Sequence, residues 1–319
     1  MKLSDLIKAT DLISTNEQSE TIDNKKLTYI RPYKSIQYSH PMKIVIVKPI
    51  QILLILILCI SCKVSTNKKP GYKVVAFYTA KNDQAHISFV NEANKWFTKV
   101  SSQNNFSYTA TDDWNNLNED FLNKYDLVIF LDTRPEAPHQ RLAFENYMKK
   151  GGSWIGFHFS AFALSPSSFP NDWDWYQNEF LGCGAYKSNT WRPTSAILKI
   201  ENENHPVTMN LSDKIIASPN EWYRWEKDLK EQPDIEILLS IDPESFPLGT
   251  GPKASEIWHE GYYPVVWTNK KYNMLYVNMG HNDIDYENGT NKELSHTFNN
   301  PSQNKMILNT LNWLGKVNQ

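Results

Sequence analysis

The feature that most constrains the fold is an alternation of apolar, β-favouring runs with helical patterns between residues 73 and 158. The predicted strands are Lys73–Thr79, Phe106–Thr111, Asp126–Leu131 and Ser153–His158. Between them, His86–Val100 and Glu136–Lys150 carry apolar residues at helical spacing, and the second run ends at Gly151-Gly152, a helix C-terminal signal. Strands that alternate with helices of about 15 residues predict an α/β domain with a doubly wound, mostly parallel sheet.

After Ala161 the alternation loosens into long loops rich in aromatic residues. There we predict a helix at Asp172–Leu181, extended segments at Ser195–Ile200 and Ile235–Ser240, a pair of strands at Pro264–Thr268 and Asn273–Met279, and a closing helix at Gln303–Leu314. The sequence has no glycine-rich phosphate loop, so nucleotide binding has no support.

Charge and cysteine content bear on the function class. The 33 Lys+Arg and 35 Asp+Glu give a formal charge of −2, so nothing indicates a nucleic-acid-binding protein. The 3 cysteines are too few for a disulfide framework and are not spaced as a zinc-binding set. The 11 tryptophans indicate either a heavy core or a surface that stacks against sugar rings, and 8 of them lie between Trp154 and Trp267.

The first 62 residues have the pattern of a secretory signal rather than of a folded domain. Met42-Lys43 begins a run with a basic start, a short apolar centre at Ile52–Ile60 and the exit Cys59-Ile60-Ser61-Cys62. As a helix, nine residues rise about 14 Å, too short for a bilayer core of about 30 Å. The exit resembles a bacterial lipoprotein box with an acylated Cys62, and the alternative is an apolar hairpin strand in a cytoplasmic protein.

With this signal, residues 1–41 are a leader that is mis-called or disordered, 42–62 are the signal peptide, 63–71 a linker and 72–316 the folded domain. The sequence then predicts a lipid-anchored protein of the cell envelope, on the periplasmic face or the outer membrane. Its one thiol beyond the anchor is Cys183.

Ionisable residues follow the predicted strands at their carboxyl ends, which is where open α/β sheets carry their sites. His86 follows the first strand, Asp132 ends the third, His158 ends the fourth, and Gly280-His281-Asn282-Asp283 follows the last. Imidazole is suited to proton transfer near neutral pH and to metal ligation. Each histidine alone is more often a hydrogen-bonded structural residue, but three at one edge favour a site.

The strand Gly-Gly-Ser-Trp-Ile-Gly-Phe and the residue presented after it resemble the class I glutamine amidotransferase-like fold, a flavodoxin-like arrangement. In the amidotransferases that position carries a cysteine nucleophile, whereas here it is His158. Cys183 lies elsewhere, in a Gly182-Cys183-Gly184 loop. Without the thiol, thioester chemistry on glutamine is lost, so glutaminase activity is disfavoured.

The histidine at that position is similar to the ThuA-like, or trehalose-utilisation, family. Further matching motifs, in family order from about Tyr72 to Gly315, are His86, Tyr125-Asp126-Leu127-Val128-Ile129-Phe130, His205-Pro206-Val207-Thr208, Asn220-Glu221-Trp222-Tyr223, Pro264-Val265-Val266-Trp267 and Met279-Gly280-His281-Asn282-Asp283. The sequence departs from the family at Asn220, where an acidic residue is usual, and in the loop Gly182–Trp191, which lacks an expected histidine.

The resemblance implies a role in carbohydrate catabolism, often of trehalose or of sugars oxidised to keto forms. The interpretation makes His158 the central catalytic group, Glu221 an acid/base or a ligand, and His86 and His281 their partners. The predicted substrate contacts are Trp191, Trp222, Tyr223 and Asp283. A divalent metal held by His and carboxylate ligands is a second chemistry open to the same residues.

The leading hypothesis is therefore an envelope lipoprotein that acts as an enzyme on a disaccharide or keto-glycoside, as a hydrolase, lyase or isomerase. Its partners would be a sugar or keto-sugar ligand and, through the lipid anchor, a membrane. The alternative is a non-catalytic sugar-binding lipoprotein that uses the tryptophans and tolerates loss of His158.

Overall fold

The computed structural model describes residues 71–81, 83–162, 173–190, 192–246, 261–284 and 293–315. The predicted leader, signal peptide and Cys62, almost all of the linker, and Trp191 lie outside the described residues. None of the described helices is both long and apolar enough to cross a membrane.

A mixed sheet of nine strands forms the centre of the described domain, in the order β2-β1-β3-β4-β11-β10-β9-β6-β7. Its strands are β1 Tyr72–Tyr78, β2 Phe106–Thr111, β3 Leu127–Leu131, β4 Ser153–Phe157, β6 Ile197–Ile200, β7 Lys214–Ile216, β9 Ile235–Ile241, β10 Tyr263–Asn269 and β11 Tyr272–Val277. The run from β2 to β11 is parallel, and the pairs from β11 through β10, β9 and β6 to β7 are antiparallel. A separate antiparallel pair joins β5 Tyr186–Asn189 to β8 Tyr223–Trp225.

Helices cover both faces of the sheet, which confirms the doubly wound fold class. The described α-helices are α1 Gln84–Gln103, α2 Glu119–Leu122, α3 Pro138–Lys149 and α4 Pro301–Leu314. Side chains alternate along a strand, so Val74 packs with α1 and α4 in one buried cluster. Its neighbour Val75 packs with α3 in the other. Because both faces are buried, β3 is apolar throughout and β4 is apolar after Ser153, as expected for strands in the middle of a parallel sheet.

Two local predictions differ from the structure. The helix predicted at Asp172–Leu181 is a π-helix over Trp175–Phe180, with Asp172 outside the described residues. The fourth strand ends at Phe157, and His158 begins a 3₁₀ turn that runs to Ala161. That turn carries His158 away from the sheet plane and towards the neighbouring strand ends.

Candidate active site

The candidate site lies at the carboxyl ends of the parallel strands, and the backbone there is unusual. Asp132 follows β3 with φ +58°, and His158 follows β4 with φ +46°. Residues other than glycine rarely adopt this left-handed conformation, and it persists where tertiary contacts over-determine it. Both residues are buried, and at each the chain turns sharply at the end of a buried strand.

His158 is held on two sides by the end of β11. Tyr276 donates its hydroxyl to the His158 carbonyl over 2.8 Å. Gly280 lies so close that a Cβ on it would be 2.5 Å from Cγ of the imidazole. The ring also stacks on Tyr223, with the ring centroids 4.6 Å apart. The imidazole of His158 is therefore closely packed by Gly280 and Tyr223.

Asp132 is the shared acceptor of the site. Its carboxylate accepts hydrogen bonds from His158 Nδ1 and from the Phe159 backbone N–H, each over 3.0 Å, and from His86 Nδ1. Burial opposes the charge on Asp132, but the adjacent His86 and His158 outweigh it and hold the pKa of the carboxyl far below its usual range. Burial likewise lowers the pKa of His86, yet the Asp132 charge and hydrogen bond prevail and raise it to about 9.

His281 is the third imidazole, and its environment differs from that of His86. Its Nδ1 donates to the Asp283 carbonyl over 2.8 Å. Burial, followed by the neighbouring His158 and His86, lowers its pKa to about 3, so His281 is neutral at physiological pH. With a proton on Nδ1, its Nε2 carries a lone pair and lies 4.0 Å from Glu221 Oε2.

Glu221 reaches the histidines from the small β5–β8 sheet. Asn189, the last residue of β5, donates its side-chain amide to Glu221 Oε1 over 2.6 Å. This leaves Oε2 facing the imidazoles, 3.9 Å from His158 Nε2. The Glu221 side chain is 12% exposed, against 0% for His158, so the carboxylate lies at the mouth of the cluster.

The structure brings together the four residues predicted to carry the chemistry. One ring nitrogen from each of His86, His158 and His281 lies within 4.8 Å of the others. His158 Nε2 is fully buried and has no hydrogen-bond partner among the described residues. A buried nitrogen without a partner, aimed at a carboxylate, marks a place for a substrate atom, a water or an ion.

The residues predicted to contact substrate are placed differently from one another. Tyr223 is 2% exposed and supports the His158 ring rather than an open surface. Trp222 does not face the site: its side chain is 0% exposed within the main core, and its Nε1 donates to the Thr194 carbonyl over 2.7 Å. The Asp283 carboxylate accepts from the Ile284 backbone N–H, and it is the Asp283 carbonyl that orients His281. Trp191 lies outside the described residues.

Two residues of the site were given no role from the sequence. Asp132 was noted as a strand end, and that position is the signal that could have assigned it. Asn189 had no such signal, because β5 is a four-residue strand whose partner β8 lies more than 30 residues along the chain. Cys183 stays apart from the chemistry, since it is fully buried and burial raises the pKa of its thiol.

Comparison with known proteins identifies the family to which the chain belongs. The ThuA family, described as trehalose utilisation, matches residues 73–314. The chain belongs to this family. It is similar to the crystal structure of a ThuA-like protein from Bacteroides uniformis, with 33% identity and a TM-score of 0.67 over 77% of this chain and 92% of that one.

A second ThuA-like protein, from Parabacteroides merdae, has 16% identity and a TM-score of 0.54 over 77% of this chain and 90% of that one. A comparison with curated proteins found no match. Membership of the ThuA family connects the chain with trehalose utilisation and carbohydrate metabolism.

Proposed function

We propose that this ThuA-family protein is an enzyme of carbohydrate catabolism that acts on a disaccharide or keto-glycoside at the cluster of His86, His158, His281 and Glu221. The observation that carries the proposal is the convergence of His158 Nε2 and Glu221 Oε2, 3.9 Å apart, at the carboxyl edge of a parallel sheet. Structural histidines are normally satisfied by hydrogen bonds, whereas His158 Nε2 has no partner among the described residues.

The chemistry needed on a sugar is the addition and removal of protons at hydroxyl, carbonyl or glycosidic oxygens. A gap of 3.9 Å between His158 and Glu221 is too long for a hydrogen bond, but an oxygen between them can contact both. The ring of His158 is oriented by Asp132 in the manner of a base held by a third group. A carboxylate and an oriented imidazole on one oxygen are sufficient for general acid–base assistance.

The test is turnover of trehalose, related disaccharides and their 3-keto forms by the purified protein and its variants. His158→Ala and Glu221→Gln should each lower kcat by at least a hundredfold, because each removes a group at the reacting oxygen. His139→Ala is the matched control, since His139 lies exposed on α3. Full turnover by His158→Ala with an unchanged melting temperature would rule the proposal out.

A second candidate, a sugar-binding protein without catalysis, is favoured by a cavity that is lined in part by Tyr223, the residue that stacks on His158. Its volume is about 580 Å³, and its wall includes Trp225, Tyr262, Tyr263 and Arg224. Aromatic faces beside polar groups are suited to sugar rings. Binding that survives in His158→Ala, together with the absence of turnover in the parent protein, would select this second function.

We further propose that Cys62 carries a lipid that anchors the protein in the cell envelope. The support is the sequence Cys59-Ile60-Ser61-Cys62 after a short apolar run. Expression in a bacterium should give a membrane-associated protein, and Cys62→Ser should release it into the soluble fraction. An unmodified Cys62 in the mass spectrum of the mature protein would overturn this.

A further inference from the structure

We propose that His86, His158 and His281 bind one divalent transition-metal ion through their Nε2 atoms, leaving an open coordination position that faces Glu221. Use of that ion in catalysis rests on the function proposed above, but binding of the ion does not.

The spacing of the imidazoles suits a single ion. Zinc–nitrogen bonds of about 2.0–2.1 Å in a tetrahedral site place ligand nitrogens about 3.4 Å apart. One ring nitrogen from each histidine already lies within 4.8 Å of the other two. The ring centroids are 5.0 Å apart for His86 and His281, 5.1 Å for His158 and His281 and 5.9 Å for His86 and His158, so side-chain rotations must bring the three nitrogens closer around an ion.

The orientation of each ring is the one that metal-bound histidines show. Such a histidine donates its other N–H to a carboxylate or to a backbone carbonyl, which sets the tautomer and aims the ligating nitrogen. Here Nδ1 of His86 and Nδ1 of His158 are both bonded to Asp132, and Nδ1 of His281 is bonded to the Asp283 carbonyl. All three rings therefore have an oxygen acceptor at Nδ1, and a neutral ring with a proton there presents its lone pair at Nε2.

The charge around the rings favours a cation. Carboxylates of Asp83, Asp132 and Glu221 each lie within 4.0 Å of a histidine nitrogen. The side chains of Asp132 and His158 are both fully buried, whereas Asp83 is exposed. The buried carboxylate of Asp132 and the nearby carboxylate of Glu221 bring negative charge to a poorly solvated place, and a dication offsets that charge.

The environment of His158 Nε2 is a further reason to expect an ion between the rings. It is fully buried and has no hydrogen-bond partner among the described residues. Glu221 Oε2 is 3.9 Å away. That distance is too long for a hydrogen bond. An ion bound about 2 Å from Nε2 would leave room for a water that contacts the ion and hydrogen-bonds to the Glu221 carboxylate.

The ligand set selects the class of ion. Imidazole nitrogens suit zinc and its transition-metal neighbours, whereas magnesium and calcium prefer oxygen ligands. Three protein ligands and one open position are the arrangement of catalytic rather than structural zinc sites. Glu221 Oε2 lies 3.9–4.0 Å from Nε2 of His158 and His281, where it can accept a proton from a metal-bound water or sugar hydroxyl.

The experiment is calorimetric titration of the chelator-treated, dialysed protein with ZnCl₂, and separately with MnCl₂ and MgCl₂. We expect one zinc ion per chain and no saturable magnesium binding. His158→Ala should weaken zinc binding at least a hundredfold, and Asp132→Asn should weaken it ten- to a hundredfold, because Asp132 positions two ligands. His139→Ala, which removes an exposed histidine from α3, should bind zinc as the parent does.

His86→Gln keeps the test valid if His158→Ala does not fold, since the His86 side chain is 22% exposed and tolerates replacement. Absence of stoichiometric zinc binding, or binding that survives in both His86→Gln and His158→Ala, would overturn the inference. Zinc binding without any sugar turnover would instead refute the proposed enzymatic function and leave the metal site standing. Turnover that is insensitive to chelator in a protein that binds no zinc would refute the metal site and leave the proposed enzymatic function standing.

Discussion

Three of the five described residues other than glycine that have positive φ lie just after parallel strands. They are Ala80, Asp132 and His158, at +47°, +58° and +46°. Such a conformation costs of order 1–3 kcal/mol for each residue other than glycine. A chain retains this cost where the conformation places a functional group, and two of the three residues are the partners in the Asp132–His158 hydrogen bond.

Gly280 decides whether the His158 ring keeps its place. A Cβ at Gly280 would lie 2.5 Å from both Cγ and Nδ1 of His158, which is closer than real contacts allow. We expect Gly280→Ala to displace the ring from Asp132, to lower kcat or zinc affinity at least tenfold, and to destabilise the fold by about 1–3 kcal/mol. Activity assays, zinc titration and urea unfolding measure these effects.

The control for Gly280→Ala is Gly315→Ala at the end of α4, where a Cβ would also meet an aromatic ring, that of Tyr72, at 2.5 Å. This variant should lose stability without any change in zinc affinity. Equal loss of zinc affinity in both variants would show that general destabilisation, rather than the position of His158, governs the site.

Trp222 shows that the sequence can identify a motif without showing which of its residues face the site and which face the core. Its neighbour Glu221 reaches the site, while Trp222 points to the other side and is 0% exposed. Adjacent residues in extended backbone face opposite ways, so one motif supplies a site group and a core group. The motif alone could not say which was which, because an indole suits either place.

Replacement of Trp222 by phenylalanine tests this placement. Trp222→Phe leaves a small void in the core and removes the 2.7 Å hydrogen bond to the Thr194 carbonyl, so we expect a loss of about 1–3 kcal/mol in unfolding free energy. KM for the sugar substrate should stay within twofold of the parent value. A large increase in KM without loss of stability would show that Trp222 contacts the substrate after all.

At the level of elements, the segment leading into β8 is what joins Glu221 to the histidines. Asn220 donates its side-chain amide to the Asn278 carbonyl, and its oxygen accepts from the Gly280 N–H over 2.7 Å. Asn278 in turn accepts from the Tyr223 backbone N–H over 2.7 Å. These bonds bind the start of β8 to the end of β11, so Glu221 and His281 keep their separation.

Asn220→Ala should therefore harm both stability and the site. It leaves the buried Asn278 carbonyl and Gly280 N–H without their partner, at a cost of about 1–3 kcal/mol for each group. Asn273→Ala is the control, since Asn273 also bonds a backbone carbonyl, that of Gly151, but at the opposite end of β11. Asn220→Ala should lower unfolding free energy and zinc affinity together, whereas Asn273→Ala should lower stability slightly. Unchanged zinc affinity in Asn220→Ala would show that Glu221 and the histidines are held independently of this bridge.

At the level of the whole molecule, the sequence predicted every described strand of the nine-stranded sheet except β7, and it did not predict the separate β5–β8 pair. Strands β1, β3 and β4 are mostly apolar, with Lys73 and Ser153 as exceptions, because both faces of the sheet are buried there, and such runs are visible in sequence. The strands that were not predicted are β5 of four residues and β7 and β8 of three residues each, and these are too short to show a period. The histidines were placed by the ends of predicted strands, whereas the position of Glu221 depends on the β5–β8 pair, which was not predicted.

Whole-molecule stability should depend on pH through His205, which docks the loop after β6 on α4. Its ring packs on Trp313, with the centroids 4.7 Å apart, and its Nδ1 accepts from the Val207 N–H over 3.2 Å. Burial lowers the pKa of His205 against the opposing charge of Glu236. Protonation also removes the acceptor at Nδ1.

The sign of this dependence follows from the lowered pKa. Above the ordinary value of 6.5 both the folded and the unfolded chain hold His205 neutral, and its contribution to stability is complete. As the pH falls through 6.5, the unfolded chain binds a proton more readily than the folded one, so the unfolding free energy decreases.

His205→Asn keeps an oxygen that can accept from Val207 but removes the titration. Urea unfolding at pH 7.5 and 5.5 should show a smaller loss of stability for His205→Asn than for the parent. The control His139→Asn, at an exposed position of α3, should lose as much stability as the parent. An equal loss in the parent and His205→Asn would assign the acid sensitivity to other groups.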